Sequence, residues 1–168
     1  REVANHQVQN GSERRAMSAN GEVAAYVMRQ ANDQVLFVWR IGEDREPLLS
    51  VSGGHFQSVA LSPNGAALAT LVSASGDAAL DGNVSVWNVA TGERVYSIKP
   101  LSDHERSRIG YGPGGLAISP DGTKLVTLIE PEDVLEVWDI EQQARLHSLE
   151  FDGESAVEHI AISPDGRT

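Results

Sequence analysis

The sequence has no cysteine and is poor in aromatic and basic residues. Only 5% of its 168 residues are aromatic, and 13 Lys and Arg stand against 24 Asp and Glu. Without cysteine the chain can form no disulfide, thiolate metal site or cysteine nucleophile. A formal charge of −11, with no basic cluster to neutralise phosphates, argues against nucleic acid or an anionic membrane as a partner.

Long hydrophobic runs are also missing. The apolar stretches, such as residues 23–28, have the length of strands and fall well short of the ~18 residues that a membrane helix needs. We therefore expect no membrane insertion. The chain opens at Arg1 without a basic and then apolar leader, so no signal peptide is predicted, and the compartment stays open with the cytoplasm favoured.

A four-residue turn occurs four times along the chain. It begins at Ser18, Ser62, Ser119 and Ser163, and each Ser is followed by Ala or Pro, then Asn or Asp, then Gly. Asn and Asp accept local backbone hydrogen bonds, and Gly supplies the conformation that returns the chain as a hairpin. An Ala stands two positions before each Ser, among larger apolar residues except at Arg15. Such short runs are typical of inner strands that are buried on both faces.

The first three turns are each followed by three further strand-like segments. The second of these segments ends in a tryptophan, and β-branched residues dominate all of them. The pattern predicts four-stranded antiparallel meanders in a single domain, 1–168. The predicted units are 13–57, 58–113, 114–157 and the start of a further unit at 158–168.

The repeated stretches resemble the WD-repeat β-propeller family. The resemblance rests on the turn SPDG from Ser119, the stretch DGNVSVWN from Asp81 and the stretch VWDI from Val137. It implies an all-β chain, a β-propeller segment of about three to three and a half four-stranded antiparallel blades. Only Trp138 is followed by Asp, and the family's Gly-His pair is absent at its usual distance from the turn, so the repeats are degenerate.

The resemblance also implies a buried hydrogen-bonded network in each blade, joining a hydroxyl, an acid and the tryptophan. A buried indole N–H or carboxylate without a partner would be costly, so the acids are interpreted as structural. Three acids at one repeated blade position favour architecture over a catalytic carboxylate pair. The predicted network residues are Tyr26, Asp33 and Trp39, then Thr70, Asp81 and Trp87, and finally Thr127, Glu132 and Trp138.

Two long connections interrupt the repeat, at residues 73–83 and 100–115. In a propeller blade these two kinds of connection emerge on the same face, so both are expected at one rim. The second combines charges of both signs with an aromatic residue in a Gly-rich stretch, as adaptable protein-binding surfaces do; a solvated loop is the alternative. The candidate partner-binding loop comprises Asp103, His104, Glu105, Arg106, Arg108 and Tyr111.

Signatures of catalysis are weak. The histidines lack metal-ligand spacing, and Asp103 beside His104 is a single adjacent pair that could form only half of a metal or acid/base site. No nucleophile elbow occurs, and the stretch GYGPGG from Gly110 lacks the strand-then-helix context of a phosphate loop. We therefore expect no catalytic residue, no metal site and no cofactor.

These patterns favour a non-catalytic protein–protein interaction scaffold, a propeller segment of a larger protein that binds a protein or peptide through its rim loops and channel mouth. The alternative is a propeller lobe of an enzyme or electron-transfer protein whose active residues lie mostly outside this segment. The fourth unit holds only an inner strand and its turn. We therefore expect the remaining blades to come from the same chain or from another chain, and the segment alone to associate or to be poorly soluble.

Overall fold

The chain folds as three antiparallel β-sheets of four strands each. A computed structural model describes residues 14–30, 33–43, 46–73, 84–98, 115–129, 134–151 and 160–163. Within these ranges the structure contains strands and turns and no helix, and so no helix long and apolar enough to cross a membrane.

Each sheet is a meander in which the strands lie side by side in chain order. The first sheet comprises β1 (Arg15–Met17), β2 (Val23–Gln30), β3 (Asp33–Arg40) and β4 (Leu49–Ser52). The second comprises β5 (His55–Leu61), β6 (Ala67–Ser73), β7 (Val84–Asn88) and β8 (Arg94–Ile98). The third comprises β9 (Gly115–Ile118), β10 (Lys124–Ile129), β11 (Val134–Asp139) and β12 (Ala144–Glu150). The predicted all-β propeller segment is confirmed, with these three sheets as its blades.

The second sheet begins earlier than the unit predicted at residue 58. β5 starts at His55, which pairs with Ser73 at the far end of β6. A register shift between Phe56 and Ser58 lets the strand continue beyond the apolar run that marks it in the sequence.

The repeated turn is held by the hydroxyl of its first residue. The Ser119 hydroxyl donates to Asp121 Oδ1 at 2.5 Å and accepts from the backbone N–H of Lys124 at 2.9 Å. The turns at Ser18 and Ser62 make the same two bonds, with Asn in the place of Asp. All three Ser residues are buried. Each turn therefore joins an inner strand to the next strand through bonds that are local in sequence.

Two apolar layers join the three sheets. The first layer lies between the first and second sheets and the second layer between the second and third. Because successive side chains of a strand point to opposite faces, β6 supplies Leu68 to the first layer and Ala69 to the second, both with 0% exposure. Burial of these apolar side chains provides the main stabilisation of the stack, roughly 1.5–3 kcal/mol for each large aliphatic residue.

Residues 160–163 lie beside the third sheet. The sequence predicts an inner strand here, whereas the described residues 160–163 belong to none of the three sheets. The Ile160 side chain comes so close to Gly115 that a Cβ atom on the glycine would lie 3.0 Å from Ile160 Cγ1. Ile160 therefore packs against β9, the inner strand of the third sheet.

Candidate functional site

The two ends of the sheets differ in the connections that they carry. The Ser turns lie at one end, which we call the turn end. Because neighbouring strands are antiparallel, β6 and β8 finish at the opposite end, and β7 and β9 begin there. All four strands that flank residues 74–83 and 99–114 therefore meet these two segments at the same end of the sheets, which we call the insertion end.

The predicted partner-binding loop belongs to the second of these segments. Its six residues, from Asp103 to Tyr111, lie outside the described residues, as do Asp81 and Glu132 of the predicted network. The structure fixes the strand ends from which the segment departs, at Ile98 and Gly115. The binding role of the loop stays a prediction.

Polar contacts tie the first and second sheets together at the insertion end. The backbone N–H of Phe56 donates to Gln34 Oε1 at 2.9 Å, and Arg14 Nε donates to the backbone carbonyl of Gln57 at 2.5 Å. These bonds satisfy polar groups of β5 and of the residue preceding β1 where the two sheets meet. They hold this end of the sheet pair in a fixed arrangement.

Two of the three predicted network residues, Thr70 and Trp87, meet in the second sheet. Trp87 Nε1 donates to Thr70 Oγ1 at 3.0 Å, and the Thr70 side chain is buried. The guanidinium of Arg94 lies 6.0 Å from the centre of the Trp87 ring, within range of a cation–π contact. The indole is therefore fixed at its N–H and covered on one face.

The first sheet arranges its residues differently. Trp39 Nε1 is buried without a hydrogen-bond partner among the described residues. Burial raises the pKa of Tyr26 and the neighbouring Trp39 indole opposes that rise, yet the two groups do not reach hydrogen-bond geometry. Asp33 is exposed at the start of β3, where its carboxylate accepts from the Gln34 N–H at 2.9 Å. Asp33 and Trp39 thus lie toward opposite ends of the same strand.

The third sheet carries a buried acid that the sequence reasoning did not single out. Glu136 is 3% exposed and pairs across the strands with Thr127, where the second sheet has Ser85 opposite Thr70. Arg145 Nη1 donates to Glu136 Oε1 at 2.6 Å. The available signal was a single acid in the middle of an apolar strand, at a position where the other sheets carry Phe37 or Ser85.

Four polar atoms of the second layer are buried without partners among the described residues. They are Tyr96 Oη, Thr127 Oγ1, Glu136 Oε2 and Trp138 Nε1. Burial, and to a lesser degree the charge of Asp139, raise the pKa of Tyr96. Within the described ranges no group of three or more His, Asp or Glu is placed to hold a metal ion.

Three stacked four-stranded meanders define a β-propeller segment. Among solved structures, the chain is similar to one described as "Crystal Structure of Mitotic Checkpoint Complex", with a TM-score of 0.63 and 21% identity. The match covers 92% of this chain and 43% of that one, so the chain spans less than half the length of that neighbour. At this identity the likeness concerns the fold. No protein-family model and no curated protein matches the sequence.

Proposed function

We propose that this chain is a WD-repeat-like, non-catalytic scaffold that binds a protein or peptide at its insertion end. The observation that carries the proposal is the shared direction of the two inserted segments. Four described strands flank residues 74–83 and 99–114, and all of them meet these segments at one end of the sheets. Loops that a rigid β framework presents at one end are the usual place of protein-binding surfaces.

The rigid part of this surface is supported by the contacts between the first two sheets. The Gln34 and Arg14 hydrogen bonds fix neighbouring strand ends of the first and second sheets, so a partner at the insertion end would meet preformed strand ends there. The loop contributes Arg106, Arg108 and Tyr111, residue types that often contribute strongly to binding at interfaces. The similar solved chain belongs to a structure described as a complex, which agrees with a protein-binding role.

The experiment starts from peptides selected by display on the full chain. Binding is then measured by titration against the chain and against a variant with Arg106→Glu, Arg108→Glu and Tyr111→Ala. If the loop carries the contact, we expect the variant to weaken binding by more than about tenfold, because charge and aromatic contact area are lost together.

A matched control changes the turn end. Arg40→Glu reverses a charge at the end of β3, where Arg40 is exposed and its Nε lies 3.8 Å from Glu43 Oε1. It should leave binding unchanged. Selected peptides that bind the loop variant as tightly as the unmodified chain would exclude the loop as the binding surface.

A further inference from the structure

The first sheet exposes a face that the other two sheets bury. Met17, immediately before the turn Ser, is 66% exposed, and Ile41, two residues after Trp39, is 51% exposed. Residues at the same repeat positions in the second and third sheets are at most 9% exposed, because each packs against the preceding sheet. These buried equivalents are Leu61, Val89, Ile118 and Ile140.

The glycines of the first sheet lead to the same conclusion. A Cβ atom on Gly65, in the second turn, would lie 2.7 Å from Val23 Cγ2, so this turn packs tightly on the preceding sheet. Gly21 holds the same position in the first turn with the same φ of 72°, and no described atom lies within 4 Å of its Cβ position. Met17, Gly21 and Ile41 together define the leading flank, a propeller face with no described sheet against it.

The third sheet exposes the outer part of its opposite face, while Leu128, which pairs with Leu135 on the same face, is 0% exposed. Leu149 pairs across the strands with Leu135 and is 54% exposed. Its equivalents Val51 and Ile98 are 5% and 8% exposed, because the following sheet covers them. The face of the third sheet that carries Leu149 is the trailing flank.

The two flanks carry the strand positions that pack on each other between neighbouring sheets of the chain. Inside the chain, a trailing face always packs on the leading face of the next sheet, and it does so in both apolar layers. In the first sheet, Val23 begins β2 and packs against the Gly65 turn of the second sheet. Lys124 holds the same position at the start of β10, on the trailing flank of the third sheet. On the leading flank, Glu22 follows Gly21 in the corresponding turn. A trailing flank docked on a leading flank would therefore bring Lys124 next to Glu22 and bury Leu149, Met17 and Ile41.

We propose that the occupant of each flank is a second copy of this chain, docked head to tail. The leading flank of each copy packs on the trailing flank of the other through the contacts that join neighbouring sheets within one chain. A head-to-tail interface closes when its rotation returns to the starting copy. Two copies contribute six four-stranded sheets, within the four to eight of β-propellers. Association of the two copies does not require partner binding at the insertion end.

Residues 160–163 mark where the second copy inserts. Ile160 packs against Gly115 of β9, the inner strand of the third sheet, on its trailing flank. Ala161 and Ser163 repeat Ala16 and Ser18, which belong to β1 and its turn. In the two-copy assembly, β1 of the second copy takes this place with three further strands behind it, and residues 160–163 move aside.

The test is the mass of the full chain in solution, measured by sedimentation over about 1 to 100 µM, since association depends on concentration. We expect a rise toward twice the chain mass of 18.0 kDa. Met17→Asp with Ile41→Asp, and separately Leu149→Asp, should each weaken association by more than about tenfold, because the interface would bury unpaired charges. An equal mixture of these two variants keeps one intact leading and one intact trailing flank, so association should partly return.

The controls use positions away from the interface or in competition with it. Val95→Asp changes a β8 residue that is 51% exposed, as Ile41 is, but lies on neither flank, and it should leave the mass unchanged. Ile160→Asp should strengthen association by releasing residues 160–163 from the trailing flank. Circular dichroism verifies that each variant keeps its β-sheet. A chain that stays at 18.0 kDa throughout, or flank variants that associate as the unmodified chain does, would overturn the proposal.

Discussion

The two apolar layers that join the sheets are built at equivalent positions but differ in their polar content. In the first layer the second sheet places Trp87 against Thr70 with its N–H bonded. In the second layer the third sheet places Trp138 and Thr127 at the same positions, and both polar atoms lack a described partner. Across from the threonine stands Ser85 in one case and Glu136 in the other. A larger, charged residue opposite the threonine thus distinguishes the second layer from the first, and Tyr96 stands where the first layer has Leu49.

The difference shows that repetition of the fold does not repeat its hydrogen bonds. A small Ser85 leaves Thr70 free to accept from the indole, whereas Glu136 brings a carboxylate that needs its own partner, Arg145. Buried polar atoms without partners cost about 1–3 kcal/mol each. We therefore expect the second layer to be the weaker of the two.

Truncation of a leucine in each layer should have the largest effect. Leu68→Ala and Leu125→Ala remove equivalent side chains, each with 0% exposure, from the first and second layers. Each should lower the free energy of unfolding by about 2–5 kcal/mol, with the smaller loss for Leu125→Ala, because the weaker second layer relaxes more easily around the cavity. Urea unfolding followed by tryptophan fluorescence measures both, and a larger loss at Leu125 would contradict the ranking.

Removal of the partner of Glu136 should have the next largest effect. Arg145→Met leaves a carboxylate that is 3% exposed without its cation. The Arg145 side chain is 52% exposed, so we expect a loss of about 1–3 kcal/mol, less than for a fully buried pair. Adding Glu136→Gln to Arg145→Met should restore part of the loss, because the remaining side chain is neutral. Calorimetry of the two variants would refute the ion-pair role if the second change destabilises further.

The two tryptophans allow a direct comparison of bonded and unbonded N–H groups. Trp87→Phe breaks the bond to the buried Thr70 hydroxyl, whereas Trp138→Phe removes an N–H that has no described partner. The two substitutions remove similar apolar area. We expect Trp87→Phe to be more destabilising by about 1 kcal/mol, the net value of one hydrogen bond. Equal losses in chemical unfolding would mean that the Thr70 bond adds no stability.

The smallest effect concerns the acid of the third turn. Hydrogen bonds from the Ser119 hydroxyl and then from the Thr123 backbone lower the pKa of Asp121 below its ordinary 3.8. A carboxyl group whose pKa is lower in the folded than in the unfolded protein stabilises the fold at pH values above its unfolded-state pKa. This stabilisation is lost as the pH falls through the folded-state pKa. Asp121→Asn places in the third turn the residue type that the first two turns carry at Asn20 and Asn64. It should keep the turn and abolish the loss of stability that protonation of Asp121 causes at low pH.

Thermal unfolding between pH 2 and pH 6 compares Asp121→Asn with the unmodified chain. Their difference should appear below about pH 4 and stay constant above it. The reverse substitution Asn64→Asp serves as the matched control, because it should add a similar step to the second turn. If the melting temperatures of Asp121→Asn and the unmodified chain differ by the same amount at every pH from 2 to 6, protonation of Asp121 does not contribute to the pH dependence of stability.

The fold could be predicted from the sequence because its determinants are local. The Ser turns fix hairpins by bonds within a few residues, and the apolar runs before and after them are strand-sized. The position of Glu136 in an apolar strand is visible in the sequence, but its burial could not be predicted, since that depends on the stacking of two sheets and on Arg145 of the neighbouring strand. The early start of β5 at His55 depends on a register shift that has no signal in composition.

The two ends of the sheets also have different scope for evolutionary change. In the three described Ser turns the hydroxyl accepts from an N–H five residues ahead, as Ser62 does from Ala67, so an added residue within such a turn would break this bond. A one-residue slip in β6 would exchange Leu68 and Ala69 between the two layers and disturb both. Length variation within the Ser turns is therefore disfavoured, whereas the two longest interruptions of the repeat depart from the insertion end. There the chain can acquire new sequences for recognition while the stack beneath them stays unchanged.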